Sequence, residues 1–284
     1  NQQHKHLWCE QDILYQAGLI EHVHRFDPHF VFHFAARTDL NGREVLDYKA
    51  NTIGVENIIN SVKKLPNLDR VIFASSMLVC KLGYMPESDT DYNPINPYGE
   101  SKVVGERIVR EEAAEKFDWV IVRPTSIWGP WFSTPYKHFF DAVKEGMYFH
   151  PQGKTIHRTY GFVLNAVYQL SKLADKNSTD ISSKTFYLAD YEPLNLLTWS
   201  AMIQKQFGSK RIREVPLFLL QVGAMAGEIL KILGYSNPPL TCGRLKNLLT
   251  DAVYDLSETK RVCGKLPYET LRGVDLTVEW MLKN

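Results

Sequence analysis

Neither sign of charge is in excess in this 284-residue sequence: 33 Lys and Arg balance 32 Asp and Glu, for a formal net charge of +1. Proteins that bind nucleic acid usually carry a basic surplus, so the balance argues against a nucleic-acid partner. Aromatic residues make up 12% of the chain and apolar residues 44%. This composition excludes a disordered protein and allows a sizeable core.

Cysteine is scarce. The four cysteines, Cys9, Cys80, Cys242 and Cys263, are scattered and form no Cys-x-x-Cys pair. In a chain of this length they predict free thiols in a reducing compartment rather than a disulfide framework. A cytoplasmic protein is therefore expected.

Clusters of metal ligands are also missing. The pairs His4-x-His6 and His22-x-His24 have no further cysteine or carboxylate at ligand spacing. His33 lies in an apolar run, where a buried core histidine is expected. We predict no metal site.

The chain has no apolar run of about 18 residues or more, so no membrane-spanning helix is expected. Its start, Asn1 to His6, has no signal-peptide pattern. The most apolar stretch, Leu217 to Leu233, is interrupted by Gln221, Glu228 and Lys231. This pattern favours a half-buried amphipathic helix over a contact with a membrane surface, and both interpretations stay open.

Short apolar runs alternate with longer amphipathic ones. The short runs are rich in β-branched and aromatic residues and predict parallel strands buried on both faces. They are Phe30–Phe34, Val71–Ala74, Trp119–Val122 and Thr185–Leu188. Two helices are predicted between them, over Arg43–Lys64 and Tyr98–Lys116. The alternation indicates an α/β fold with a doubly wound, Rossmann-like parallel sheet.

After about residue 124 the pattern loosens, and from Pro193 onward helices and short connections dominate. A further helix is predicted around Tyr136–Glu145. We predict a dinucleotide-binding domain over residues 1–125. Residues 126–284 are predicted to form mainly a smaller, mostly helical substrate lobe, in which 155–190 returns to the sheet.

Three polar features follow one another in an order that suggests chemistry. Ser75 and Ser76 come directly after a predicted strand, and the carboxyl end of a strand is where ligands bind in such sheets. Tyr98 and Lys102 lie one helical turn apart, so an ammonium could lower the pKa of the phenol and make it an acid/base. The segment Arg123 to Pro130 follows another strand. Tyr-x-x-x-Lys alone also fits a helix-capping aromatic beside a solvated lysine, but the ordered set favours catalysis.

The chain resembles the extended short-chain dehydrogenase/reductases of the NAD-dependent epimerase/dehydratase family, and the nucleotide-sugar epimerases among them. The resemblance covers essentially the whole chain. It is carried by His33-Phe-Ala-Ala36, by Asn51-Thr-Ile-Gly-Val-Glu-Asn57, by Ser76 with Tyr98 and Lys102, by Arg123-Pro-Thr-Ser-Ile-Trp-Gly-Pro130, by Gln11-Asp12-Ile13, and by Leu266-Pro-Tyr with Gly273 to Trp280.

The resemblance implies roles for individual residues. Ser76, Tyr98 and Lys102 match the catalytic triad. The residues expected to contact NAD, with NADP not excluded, are Asp12, Ile13, Phe34, Ala35, Ala36, Asn51, Ser75, Tyr98, Lys102 and Pro124. Those expected to contact a nucleotide-sugar substrate are Ser76, Met77, Ser126, Arg158 and Arg244. For Arg158 a surface arginine is the alternative, and for Arg244 a solvated helix face is equally plausible.

The sequence also departs from the family. No Gly-x-x-Gly-x-x-Gly turn occurs, although the family holds the pyrophosphate there and distinguishes NAD from NADP nearby. We expect about fifty further residues upstream in the native protein, and weak dinucleotide binding by a protein that began at Asn1. Met77-Leu-Val-Cys80 holds no acid after Ser76, which disfavours dehydration and decarboxylation. Ser126 replaces the usual Asn, and Cys80 a frequent Tyr.

The leading interpretation is an NAD(P)-dependent epimerase or oxidoreductase acting on a hydroxyl or keto group of a nucleotide-activated sugar. A 3β-hydroxysteroid-type dehydrogenase is the enzymatic alternative, and a non-catalytic dinucleotide-binding sensor or scaffold is the alternative from another class. The resemblance further implies a homodimer through the two predicted helices. Its contacts are expected to come from Glu100, Val103, Val104, Arg107 and Ile108.

Overall fold

A computed structural model describes residues 2–133, 136–175, 179–235, 238 and 240–284. The strands of this part of the chain are β1 (Phe30–His33), β2 (Arg70–Ala74), β3 (Trp119–Pro124), β4 (Ser126–Trp128), β5 (Phe149–Pro151), β6 (His157–Arg158), β7 (Tyr160–Phe162), β8 (Lys184–Leu188), β9 (Leu194–Asn195) and β10 (Arg213–Val215). The α-helices are α1 (Gln16–Phe26), α2 (Ile53–Val62), α3 (Pro97–Glu112), α4 (Tyr136–Lys144), α5 (Val163–Leu173), α6 (Leu196–Phe207), α7 (Leu217–Ile232), α8 (Cys242–Leu249), α9 (Ser257–Cys263) and α10 (Thr270–Lys283).

The central sheet is parallel, with strand order β1-β2-β3-β8. Residues of α2 and α3, such as Ile59 and Val109, pack on one face of the sheet. Leu173 of α5 and Cys263 of α9 pack on the other face. The predicted Rossmann-like, doubly wound α/β fold is thus confirmed, and so are all four predicted strands.

The first strand is less covered than the sequence predicted. Among the described residues β1 pairs only with β2, so it is the edge of the sheet. Phe32 is 41% exposed, while His33 is buried as expected. The prediction that every strand is buried on both faces is therefore wrong for β1, because an apolar run does not reveal an edge position.

The predicted helix Arg43–Lys64 is interrupted. A 3-10 helix, Val45–Asn51, precedes α2, and Thr52 between them has φ −121° and ψ −78°. The Tyr48 hydroxyl accepts a hydrogen bond from Gly42 N and donates one to Asp39 O. These bonds tie the 3-10 segment to the loop after β1, so it cannot continue in line into α2.

Helix α3 starts where the sequence predicted, and for a local reason. Asn96 caps it by accepting a hydrogen bond from Gly99 N at 2.7 Å, and Pro97 occupies the first turn. A Cβ at Gly99 would overlap the carbonyl oxygen of Leu78. Glycine therefore lets the start of α3 approach the turn that follows Ser76.

The C-terminal lobe has a core of its own, centred on Trp128, Phe140, Phe162 and Trp199. Helices α4, α6 and α10 surround this core. The lobe is less purely helical than predicted, because it also carries three two-stranded ladders, β4 with β7, β5 with β10, and β6 with β9. β8 returns from the lobe to the central sheet within the predicted segment 155–190.

Candidate functional site

Ser76 and Tyr98 meet at the carboxyl end of β2. Ser76 caps the short 3-10 turn Met77–Val79, and its Oγ accepts a hydrogen bond from Leu78 N at 3.1 Å. The Ser76 hydroxyl also interacts with the Tyr98 phenol. Both side chains are only 8% exposed. A hydroxyl pair held in this way could share one substrate oxygen.

The electrostatics of Tyr98 differ from the sequence prediction. Burial raises the pKa of Tyr98 above its ordinary value, and the hydrogen bond from Ser76 partly opposes this rise. The charge of Lys102 is not among the causes of the shift. The expectation that Lys102 lowers this pKa is therefore wrong for this structure, and the phenol is protonated at neutral pH.

Lys102 is turned toward the sheet. Its Nζ donates a hydrogen bond to the carbonyl oxygen of Ala74 at 2.9 Å, and the residue is 7% exposed. Burial lowers the pKa of Lys102 to about 8, while the carboxylate of Glu106, one turn further along α3, acts in the opposite direction. The spacing of the motif fixes the helix face, but the hydrogen-bond partner of the ammonium could not be read from it.

Lys102 makes a testable contribution to the pH dependence of stability. Its folded pKa lies below that of a free lysine, so the unfolded chain binds more protons between about pH 8 and pH 10.5. The Lys102 contribution thus makes folding more favourable as pH rises through this window. Lys102→Met should remove this contribution. The melting temperature of the variant, relative to that of the wild-type protein, should therefore be higher at about pH 7.5 than at about pH 9.5, because these values lie on roughly either side of the folded pKa of about 8. Exposed Lys116→Met is the control; equal pH profiles for the two variants would contradict the assignment.

Behind Ser76 lies a buried ionic network that the sequence analysis did not identify. Glu106, 3% exposed, accepts hydrogen bonds from Arg123 Nε at 2.8 Å and Nη2 at 2.7 Å. It also accepts from Ser75 Oγ at 2.6 Å and Tyr92 Oη at 3.0 Å. Two features of the sequence could have indicated this network: Glu106 lies four residues after Lys102 on the same helix face, and Arg123 lies at the end of a predicted strand. The network fixes α3 against β2 and β3.

Asn51 has a positioning role in this structure. Its Oδ1 accepts from Arg37 N at 2.9 Å, and its Nδ2 donates to Arg37 O and to Ser101 Oγ. The amide thereby joins the loop after β1 to α3. A Cβ at Gly105 would lie 2.7 Å from the Asn51 carbonyl oxygen, so glycine permits this close approach.

The remaining residues predicted to contact the cofactor lie at the same edge of the sheet. Phe34 and Ala35 follow β1 and are exposed, and Pro124 ends β3, which β2 separates from β1. Ile13 packs against Gly54 of α2, and its carbonyl accepts a hydrogen bond from Asn57 Nδ2. Asp12 lies in the loop before α1, where its Oδ1 accepts a hydrogen bond from Leu14 N, and Ala36 lies in the loop after β1. The structure thus places Phe34, Ala35 and Ala36 after β1, Pro124 at the end of β3, and Ile13 against α2.

A cavity of about 460 Å³ lies beside the Ser76 turn, between the sheet and the C-terminal lobe. Met77, Ser126, Arg158 and Arg244, four of the five predicted substrate residues, line it. The remaining lining is mostly apolar or aromatic: Leu40, Leu78, Leu82, Ile95, Tyr136, Phe139, Tyr160, Leu196, Trp199, Leu248, Ala252 and Tyr254. Asn96, Thr159 and Asn247 add polar groups. None of the described lining residues is acidic.

Arg158 is the most constrained charge of this cavity. It is 4% exposed, and its Nη2 donates to the carbonyls of Asn247 and Leu248 in α8. Its Nη1 is buried and makes no well-formed hydrogen bond with any described residue, while the guanidinium interacts with the neighbouring Tyr160 phenol. A buried guanidinium nitrogen without a partner is costly unless a ligand satisfies it. Arg244 is exposed, and its Nη1 donates to Pro238 O.

Tyr136 is a second phenol that the sequence analysis did not identify. Burial raises its pKa, a hydrogen bond from Ser126 opposes the rise, and its proximity also raises the pKa of Tyr98. Tyr136 therefore links the cavity to the Ser76–Tyr98 pair. Its position at the start of α4, far along the chain from Tyr98, gave no signal of this contact.

The fold and this arrangement of side chains define a Rossmann-type enzyme. The profile of the NAD dependent epimerase/dehydratase family matches residues 1–180. The chain belongs to this family, as an NAD-dependent enzyme of the extended short-chain dehydrogenase/reductase type. The sequence-based family resemblance is thereby confirmed.

Curated relatives include an epimerase and a dehydrogenase. The N-acetyl-alpha-D-glucosaminyl-diphospho-ditrans,octacis-undecaprenol 4-epimerase of Escherichia coli O157:H7 is 23% identical over 274 residues, covering 95% of this chain and 82% of the relative. The decarboxylating sterol-4-alpha-carboxylate 3-dehydrogenase of Bos taurus is 28% identical over 184 residues, covering 61% of this chain and 51% of the relative.

Solved structures share the fold. The UDP-glucose 4-epimerase of Thermotoga maritima with UDP-glucose has a TM-score of 0.70 at 18% identity, covering 97% of this chain and 84% of that chain. The UDP-glucuronic acid 4-epimerase of Bacillus cereus in complex with NAD has a TM-score of 0.71 at 15% identity, covering 97% and 80%. At these identities the likeness concerns the fold alone.

The carboxyl ends of β1, β2 and β3 form the edge of the sheet at which a dinucleotide is expected to bind in a parallel sheet of this type. Ala35 and Ala36 present only methyl groups after β1, and the neighbouring Phe34 is half exposed, so the backbone there is accessible. Of the other residues predicted to contact the cofactor, Ser75 is half-buried and Tyr98 and Lys102 are buried. No residue is assigned to the pyrophosphate.

Proposed function

We propose that this enzyme oxidises, and in the simplest case epimerises, a secondary alcohol of a sugar carried on a diphosphate, with a nucleotide-activated sugar as the first candidate. The observation that carries the proposal is the cavity beside Ser76 and Tyr98. It has two arginines and no described acidic residue, and Arg158 Nη1 makes no well-formed hydrogen bond with any described residue. A diphosphate supplies the acceptor oxygens that such a guanidinium requires.

In the proposed reaction Tyr98 exchanges a proton with the substrate hydroxyl, while Ser76 donates a hydrogen bond to the same oxygen. NAD, when bound, supplies the hydride acceptor and donor. Burial keeps Tyr98 protonated in this structure, so it is ready to act as an acid, and a positive charge brought beside the phenol would favour the base form. Lys102 positions the end of β2 next to the site, because its Nζ donates a hydrogen bond to Ala74 O.

The lack of acidic lining residues separates reaction types. Dehydration and decarboxylation move protons at neighbouring carbons and need a further acid or base. The sequence Met77-Leu-Val-Cys80 provides none, and the cavity adds no carboxylate from the described residues. Epimerisation and simple oxidation or reduction need only the Ser76–Tyr98 pair and the cofactor.

Sterol oxidation is the second candidate, because the cavity is lined mainly by apolar side chains. The bovine sterol dehydrogenase is among the relatives. A lipid-linked sugar would combine the apolar lining with the two arginines, and the E. coli relative acts on a sugar linked to undecaprenyl diphosphate. A non-catalytic dinucleotide-binding sensor is the third hypothesis. The interaction between Ser76 and Tyr98 argues against it, because a sensor does not need this pair of hydroxyl groups.

One assay distinguishes these candidates. Purified protein with NAD is offered a panel of UDP-sugars, a short-chain polyprenyl diphosphate sugar and a 3β-hydroxysterol, with product NMR and NADH absorbance recorded together. An epimerase inverts a sugar carbon without accumulating NADH, whereas a dehydrogenase forms NADH with each ketone. Turnover of the sterol alone would contradict the diphosphate-sugar proposal.

The role of Arg158 can be tested separately. Arg158→Met should raise KM for a diphosphate-linked sugar by at least roughly tenfold, since one charge-assisted hydrogen bond contributes about 1.5–3 kcal/mol. The kcat should change much less, because Arg158 is not proposed to touch the reacting carbon. Exposed Arg272→Met is the control. An unchanged KM, with the fold verified by thermal melting, would remove Arg158 from the substrate site.

Three further properties are proposed. A cytoplasmic location is supported by four free cysteines, two of them exposed. The division at residue 125 is supported by the separate core of the C-terminal lobe. A homodimer through α2 and α3 is supported by exposed Glu100 and Arg107, with Val104 and Ile108 half-buried between them. Val103 is buried against Val79 and Cys80, so it is not available for that contact.

A further inference from the structure

Helix α7 has an exceptionally exposed apolar surface. Its only buried residues are Leu220, Ala224 and Gly227, which form a narrow stripe facing the Leu240 region and α8. The outward surface, called here the α7 face, is formed by Phe218, Leu219, Val222, Met225, Ile229, Leu230 and Ile232, all between 44% and 85% exposed. The sequence predicted a half-buried amphipathic helix, but in the structure the buried part of α7 is much smaller than half.

Contiguous apolar surface of this extent is rare on the outside of a protein that contacts only water. Leu233 and Tyr235, which follow the helix, extend it further and are 76% and 58% exposed. Glu228, the one acidic residue of α7, accepts a hydrogen bond from Cys242 N and is half-buried. The α7 face therefore carries no exposed carboxylate.

Positive charge flanks the α7 face at both ends. Lys210, Arg211 and Arg213 come shortly before the helix, where they outnumber the one acidic residue Glu214, and Lys231 lies in its last turn; all of these residues are exposed. Residues 196–250 hold seven Lys and Arg against two Glu, in a chain whose net charge is only +1. The basic surplus is thus concentrated in the segment that carries the exposed apolar helix.

We infer that the α7 face docks on the surface of an anionic lipid bilayer. Apolar side chains flanked by Lys and Arg fit such an interface, where the chains enter the acyl boundary and the cations meet the lipid headgroups. In a two-fold contact between copies of this chain, the same basic residues would face each other. Anionic headgroups would instead neutralise them.

The helix lies on the bilayer rather than crossing it. At 16 residues α7 is about 24 Å long, shorter than the roughly 30 Å hydrocarbon core. Among the described helices none is long and apolar enough to span a membrane. Helix α8 lies between the α7 face and the substrate cavity, since Leu245 packs on α7 while Asn247 and Leu248 line the cavity or hold Arg158.

The test is co-sedimentation of the whole chain with vesicles of phosphatidylcholine alone or of phosphatidylcholine with phosphatidylglycerol. We expect binding to the anionic vesicles that weakens as salt rises, because exposed charges are screened. Val222→Glu/Ile229→Glu should reduce binding about tenfold or more, since two carboxylates would enter the interface. Leu271→Glu/Leu282→Glu, on the exposed side of α10, is the matched control and should bind as wild type.

Lys210→Glu/Arg211→Glu should reduce binding to anionic vesicles at low salt. The binding that remains at high salt should be unchanged, because it comes from the apolar side chains. Both pairs are exposed, so thermal melting should show intact folding. Absence of vesicle binding by the wild-type protein would overturn the inference. So would a dimer in light scattering that Val222→Glu/Ile229→Glu dissociates, since the α7 face would then be a contact between copies. The experiment contains no substrate or NAD, so its outcome is separate from that of the proposed reaction.

Discussion

Tyr98→Phe is expected to lower kcat by at least about 10²-fold while leaving the fold intact. A positioned general acid or base contributes typically 10²–10⁴-fold, and the phenolic oxygen is the only atom that this substitution removes. The ring keeps its edge-to-face contact with Tyr48, whose centroid lies 5.9 Å away. Steady-state kinetics on the substrate found in the panel, with a thermal melt alongside, measure both effects.

Two variants make this expectation sharper. Ser76→Ala removes the hydrogen bond that lowers the pKa of Tyr98, so the rising limb of the pH–rate profile should move to higher pH. Tyr136→Phe should move it to lower pH, because the proximity of Tyr136 raises the same pKa. Tyr98→Phe with unchanged turnover, or two profiles that shift together, would exclude Tyr98 as the acid/base.

The order of motifs in the sequence predicted that Ser76 and Tyr98 lie at the same edge of the sheet. Ser76 after a strand and Tyr98 at the start of a helix both follow from local rules, because strand ends gather at one edge and Asn96-Pro97 is a strong helix start. Motif order alone cannot give the direction in which a long side chain turns. Lys102 was expected beside the phenol and instead donates to Ala74 O.

Interactions between distant parts of the chain were missed for a physical reason. Tyr136 reaches the site only because the lobe folds back over the sheet, and no periodicity in its own segment reports this. The exposed α7 face is a similar case. The sequence shows that Leu217–Leu233 is apolar, but only the packing of Leu220, Ala224 and Gly227 shows how narrow the covered stripe is.

Glu106 has the structural environment of a residue whose loss is costly. Its side chain and that of Arg123 are 2% and 0% exposed, and two hydrogen bonds join them side by side. Arg123 also donates to Asp89 O at 2.6 Å and lies over the rings of Tyr92 and Tyr187. With this pair intact, both ionised groups have a partner. With one member removed, the other is left charged in a region that water does not reach.

Glu106→Gln should therefore destabilise the protein by about 3–5 kcal/mol, the usual cost of breaking a buried ion pair. At roughly 2–4 °C per kcal/mol, the melting temperature should fall by about 10 °C. Exposed Glu111→Gln, on the same helix, is the control and should change it by little. The double variant Glu106→Leu/Arg123→Met removes both charges together and should be more stable than Glu106→Gln, because no unpaired charge remains buried. A double variant less stable than the single one would show that the network acts through its hydrogen bonds to Ser75 and Tyr92 rather than through the burial of paired charge.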